Sequence, residues 1–89
     1  MLPFSFTPVA RRQYQKLVRR NPVVQFQIEQ MIATIREDPF NRTHQFDIRK
    51  LTDFPAGQWR VRRGDYRIRY DVDKHHLIIH AVFDRKEGY

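Results

Sequence analysis

The chain has 89 residues, no cysteine and a formal net charge of +7. That length makes one small domain with a modest core, and the absence of cysteine excludes both a disulfide framework and a thiolate metal site. The excess charge, carried mostly by arginine, favours a polyanionic partner; nothing reads as a signal peptide or a membrane span, so the expectation is a soluble cytoplasmic protein.

Residues 2 to 6 read as a short strand with Leu2, Phe4 and Phe6 on one face, and Pro3 suits a strand start or an edge. Thr7-Pro8 is a helix N-cap followed by proline at the first helical position. The helix it opens is predicted to run to about Arg20. Ala10, Tyr14, Leu17 and Val18 form its apolar stripe, and Arg11, Arg12, Lys16, Arg19 and Arg20 lie mostly off it. Asn21-Pro22 repeats the capping signal, so a second helix follows with almost no linker and the two form an αα-hairpin. Its stripe is Val24, Ile28, Met31, Ile32 and Ile35, and Pro39 ends it. Residues 40 to 57 are irregular. Within them Phe46-Asp47-Ile48-Arg49-Lys50-Leu51 alternates weakly, as a short strand or an ordered loop.

Residues 59 to 70 carry the strongest pattern. Apolar and basic side chains alternate on either side of Gly64-Asp65, which predicts a β-hairpin with a two-residue turn of the Gly-X kind. In that register Trp59 faces Tyr70 and Val61 faces Ile68. On the other side Arg62 lies opposite Arg67 and Arg60 opposite Arg69. Like charges directly opposite each other on a sheet destabilise it by up to about 1 kcal/mol per pair. Four arginines on one exposed face are therefore better explained by a bound phosphate than by edge protection alone, because the guanidinium fork matches phosphate geometry. Asp71 to His75 reads as a polar turn. Residues 77 to 83 are apolar on both faces and predict a central strand. The expected architecture is α+β: one domain over residues 1–89, ordered β-α-α-β-β-β, with a two-helix hairpin packed on one face of a small antiparallel sheet.

Lys50-Leu51 before a loop, the run Trp59-Arg60-Val61-Arg62-Arg63-Gly64-Asp65-Tyr66-Arg67-Ile68-Arg69-Tyr70 and the terminal Arg85-Lys86-Glu87-Gly88-Tyr89 together resemble the RelE branch of the RelE/ParE toxin superfamily. The resemblance covers nearly the whole chain. It implies a RelE-like mRNA interferase toxin of a type II toxin–antitoxin system. Such a toxin is a ribosome-dependent endoribonuclease that cuts mRNA in the A site, using the 2′-hydroxyl of the RNA as nucleophile and neither metal nor cofactor. It also implies a cognate antitoxin, with which a heterotetramer can form, and no membrane. Carried over position by position, the implied catalytic residues are Arg60, Arg62, Arg67, Arg85 and Tyr89, and the RNA-binding residues are Lys50, Arg69 and Lys86. The family's best-known members have lysines at the positions of Arg60 and Arg62. Arginine does not lose its proton, so the general base falls to Tyr89 or Asp84, or cleavage rests on positioning and charge stabilisation.

His44, His75, His76 and His80 lack a metal-ligand spacing and read as structural or solvated, with His80 the one suited to acid–base work. Asp65, Asp71 and Asp73 read as turn residues. The same residues fit two further functions: a ParE-like gyrase inhibitor that cleaves no RNA, and a catalytically weak homologue that binds RNA or the ribosome.

Overall fold

The computed structural model describes residues 1–87, with the backbone alone at Glu87. Both helices begin on the device read from the sequence. Thr7 Oγ1 accepts from the Ala10 amide at 3.1 Å and Pro8 opens α1 (Pro8–Val18); Asn21 Oδ1 accepts from the Val24 amide at 3.2 Å and Pro22 opens α2 (Pro22–Glu37). Helix α1 stops at Val18, two residues before the expected end. Arg20 adopts a left-handed φ of +54° and the Asn21 amide donates to the Val18 carbonyl, which turns the chain straight into α2.

The strands are β1 (Phe4–Phe6), β2 (Asp47–Lys50), β3 (Trp59–Arg63), β4 (Tyr66–Asp73) and β5 (His76–Asp84), followed by a 3₁₀ turn over Arg85–Glu87. They form one sheet in the order β1-β5-β4-β3-β2. The α+β layering is as expected, but the sheet is mixed. Strands β2 to β5 are antiparallel, while β1 runs parallel to β5, with Phe4 beside Leu77 and Phe6 beside Ile79. The physical reason lies in β5. A central strand carries backbone hydrogen-bonding groups along both edges and needs a neighbour on each; β4 supplies one and β1 the other. Because β1 is three residues long, the edge of β5 beyond it is covered by side chains. Gln13 Oε1 accepts from the Val82 amide at 2.8 Å, so α1 closes hydrogen bonds that the short strand leaves open.

The core sits between the helices and one sheet face. Helix α2 contributes Ile28, Met31 and Ile35, fully buried as the stripe predicts; the sheet contributes Val61, Ile68, Tyr70, Leu77, Ile79 and Val82. Trp59 and Tyr66 pack against this cluster but stay partly exposed. Tyr70 is the larger anchor. It is wholly buried, and its hydroxyl donates to the Pro39 carbonyl at 2.6 Å. Burial pushes its pKa upward, and the Asp38 carboxylate adds to that.

Strand β4 runs through Asp71, Val72 and Asp73, which the sequence reading placed in a turn. The turn is only Lys74-His75, both left-handed (φ +50° and +64°), between the paired Asp73 and His76. With no glycine or asparagine there, the usual signal for so tight a hairpin is missing. Among the described residues, no helix is long and apolar enough to cross a membrane.

Candidate functional site

Strand parity builds the site. In the β3–β4 hairpin Arg62 pairs with Arg67 and Arg60 with Arg69, and Gly64 alone at its turn has positive φ, at +58°, as a Gly-X turn requires. Val61 and Ile68 are buried towards the helices, so all four arginines share the opposite face. The flanking strands extend both rows. Asp47 on β2 lies beside Arg62, and Phe83 on β5 beside Arg67; Arg49 lies beside Arg60, and Ala81 beside Arg69.

Asp47 relieves the crowding of cations. Its Oδ1 accepts from Arg60 Nη2 at 3.1 Å and its Oδ2 from Arg62 Nε at 2.5 Å, so one carboxylate bridges two guanidinium groups. Desolvation raises the pKa of Asp47, but the Arg62 hydrogen bond and the charges of Arg60, Arg62 and Arg49 outweigh it, and the net position is below the usual 3.8. The unfolded chain therefore takes up this proton at a higher pH than the folded one. The stabilisation is complete above the unfolded value and is lost as pH falls through the lower, folded one. In acid titrations of folding, Asp47→Asn is expected to flatten the loss of stability below about pH 4. An unchanged acid limb would show that the bridge contributes nothing.

The second row is shaped by residues 51–58, which fold over it. Arg69 Nη1 donates to the carbonyls of Ala56 at 3.2 Å and Gly57 at 3.3 Å, and its guanidinium lies 4.1 Å from the Phe54 ring centroid. Asp71 holds the same loop from the next strand position. Its carboxylate accepts from the Gly57 and Gln58 amides at 2.7 and 2.8 Å and lies 3.1 Å from His80 Nε2. His80 reaches this face at a β-bulge: Arg69 pairs with Ala81 and Tyr70 with Ile79, leaving His80 between them without a partner in the register. Gly57 has φ +69°, and a Cβ there would meet the His80 Cβ at 3.0 Å, so only glycine fits under the loop.

The predicted residues are therefore not equivalent. Arg62 is open, with its side chain 47 % exposed. Arg67 is half-buried and donates to the Gly64 and Tyr66 carbonyls. Arg60 corrects the expectation of a fully exposed face: it is buried, at 7 % exposure, with its Nη2 on Asp47 and its Nε without a hydrogen-bond partner. Arg69 is tied to the loop. Arg85 is exposed at the end of β5, joined to the hairpin turn by its amide to the Asp65 carbonyl (2.7 Å) and its Nε to Asp65 Oδ1 (3.7 Å). Lys86 is exposed beside it, and its amide donates to Asp84 Oδ1 at 2.7 Å. Tyr89 lies outside the described residues.

Lys50 does not join this face. It pairs with Trp59, has the parity of the buried Ile48, and its ammonium lies 6.0 Å from the Trp59 ring. Arg49 occupies the place on the arginine face that was expected of Lys50. Sequence reasoning missed Arg49, Asp47 and Asp71. The inward apolar position of Ile48 carried the signal for the first two, since its neighbours in a strand must point outward.

These features define a small α+β domain with arginines gathered on the sheet face opposite its helices. Over residues 4–89 the chain matches the family described as the ParE toxin of the parDE type II toxin–antitoxin system, and it belongs to that family. No curated protein matches it by sequence. Among solved structures it is similar to a chain of the RelBE2 toxin–antitoxin complex of Mycobacterium tuberculosis, with 27 % identity, 94 % of this chain and 98 % of that one covered, and a TM-score of 0.72. It also shares the fold of a chain in the YoeB–YefM complex of Staphylococcus aureus (21 % identity, 92 % and 94 % covered, TM-score 0.73). A copper-bound mutant toxin from Helicobacter pylori shares it as well (20 %, full coverage of both chains, TM-score 0.71).

Proposed function

We propose that this toxin is a metal-independent endoribonuclease that cuts mRNA in the ribosomal A site and is neutralised by a cognate antitoxin. The observation that carries the reading is the gathering of Arg49, Arg62, Arg67 and Arg69 on one sheet face, with Arg85 at its end. Antitoxin-bound relatives of the same fold support the partner. In the proposed reaction the 2′-oxygen attacks the adjacent phosphorus, the bond to the 5′-oxygen breaks, and a 2′,3′-cyclic phosphate is left. The 2′-proton passes to a base and the leaving 5′-oxygen takes one up. The phosphorane on that path carries added negative charge, and fixed cations stabilise charge where it develops. Arg62 and Arg67, adjacent across the hairpin, are assigned to the phosphate, with Arg85 closing the site from the end of β5. Asp47 sets the Arg62 side chain in place; Arg60, being buried, acts through Asp47 as a positioning residue. Tyr89 and Asp84 remain the proposed proton-transfer groups.

A second reading rests on the family match itself, which is to a ParE toxin: inhibition of gyrase without RNA cleavage. One experiment separates the two. Purified toxin is added to a translation extract, and new 5′ ends on the message are mapped by primer extension, beside a supercoiling assay. Ends within A-site codons with unaffected supercoiling are expected. An intact message with inhibited supercoiling would replace the nuclease by the gyrase reading.

A further inference from the structure

Residues 51–58 join two neighbouring strands, and a surface connection of that length can stay loose at little cost. This one is held down on the arginine face by side chains of the strands beneath it. Asp71 gives one carboxylate oxygen to the Gly57 amide and the other to the Gln58 amide, so a single charge satisfies two successive backbone donors. His80 Nε2 lies 3.1 Å from the same carboxylate and fixes its orientation. Arg69 Nη1 takes the Ala56 and Gly57 carbonyls, and its guanidinium lies over the Phe54 ring. Gly57, at φ +69°, lets the backbone come down onto His80 and Arg69 with no side chain between. The bulge in β5 belongs to the same arrangement. It leaves Ala81 beside Arg69 and brings His80 to Asp71; re-aiming a side chain is what a bulge does, and bulges gather next to active sites.

These contacts reach the row that faces phosphate. Arg60 and Arg69 are paired directly across the hairpin, where two cations repel. Each has its own acceptor, and the acceptors lie on different elements: Arg60 has the Asp47 carboxylate, and Arg69 has the two loop carbonyls. A loop that lifted would strip Arg69 of those carbonyls and return it to the space beside Arg60. There it would compete for Asp47, the same carboxylate that holds Arg62.

We propose that Asp71 and His80 are positioning residues for the arginine face. They latch residues 51–58 onto the sheet, the latched loop detains Arg69, and Asp47 is left to set Arg62 in place. The consequence for cleavage rests on the function proposed above, while the latch itself rests on the contacts of Asp71, His80 and Arg69.

Hydrogen exchange of the full chain reads the latch, and single-turnover cleavage on programmed ribosomes reads its consequence. Asp71→Asn keeps the shape, but its NH₂ group cannot accept from the second loop amide. In that variant the Gly57 and Gln58 amides are expected to exchange about tenfold faster, while amides of the core strands keep their protection. His80→Ala should loosen the same two amides, and His80→Gln, which can still donate to Asp71, should restore them. Cleavage by Asp71→Asn is expected to slow about tenfold at saturating ribosomes, with half-saturation changed less than twofold, because geometry is lost and not a contact. Unchanged exchange at Gly57 and Gln58, or a loss of protection spread over the whole sheet, would overturn the latch. Faster loop exchange with full cleavage would overturn the positioning role. A wild-type chain that cuts nothing would remove that role together with the nuclease reading, while the exchange result still decides the latch.

Discussion

Replacing Arg62 by alanine is expected to lower the rate of cleavage of translated mRNA by about 10²–10³-fold, the usual effect of removing one group that stabilises a developing negative charge. Arg62 is the most open of the four arginines that share the hairpin's outer face, and its side chain reaches solvent past Asp47. Its removal leaves Asp47 paired with Arg60, so no buried charge is stranded and the fold should survive. Arg62→Lys should recover part of the rate, since a point charge remains but the planar fork does not. The measurement is single-turnover cleavage on programmed ribosomes, beside a thermal melt of each variant. Full activity in the alanine variant would remove Arg62 from the site, and with it the assigned role of Asp47.

Replacing Tyr70 by alanine is expected to cost about 3–5 kcal/mol, the range for deleting a fully buried aromatic. That is a large share of the roughly 5–15 kcal/mol that holds a natural domain folded. The phenol links three parts of the molecule. Its ring lies in the core under α2, its backbone is in β4 where the bulge begins, and its hydroxyl ties down the segment after α2 through the Pro39 carbonyl. Tyr70→Phe keeps the ring and leaves that carbonyl without its donor, so about 1–3 kcal/mol is expected. Urea unfolding of the pair measures both. Equal losses would mean that the hydroxyl, and not the packed ring, is the source of the stability. The half-buried Trp59, its partner across the hairpin, should cost less than Tyr70 on truncation.

The hairpin was legible because two facts in the sequence suffice for it. A two-residue turn at Gly64-Asp65 sets the register, and strict alternation sets the face, so every pair from Trp59–Tyr70 to Arg62–Arg67 follows. The helices were legible from their caps and stripes. The rest depended on partners far apart in the chain. Asp47 meets Arg60 and Arg62 across 13 and 15 residues of loop and strand, and no local pattern announces that pairing. Strand β2 is four residues long, too short for its weak alternation to decide between Arg49 and Lys50. The turn at Lys74-His75 lacks its usual residues, so β4 seemed to end early and Asp71 passed for a turn residue. The bulge at His80 breaks the alternation that would have placed that side chain. The parallel docking of β1 could not be read from three residues.

The arginine face is proposed to hold a ribonucleotide linkage whose own 2′-hydroxyl attacks it. The most direct measurement places a single 2′-deoxyribonucleotide on the 5′ side of the cleaved bond, in a message stalled with its A-site codon exposed to toxin. Cutting at that bond is expected to disappear, while an all-ribose message is cut there and leaves a 2′,3′-cyclic phosphate. Cutting of the deoxy-substituted bond at the same rate would contradict it.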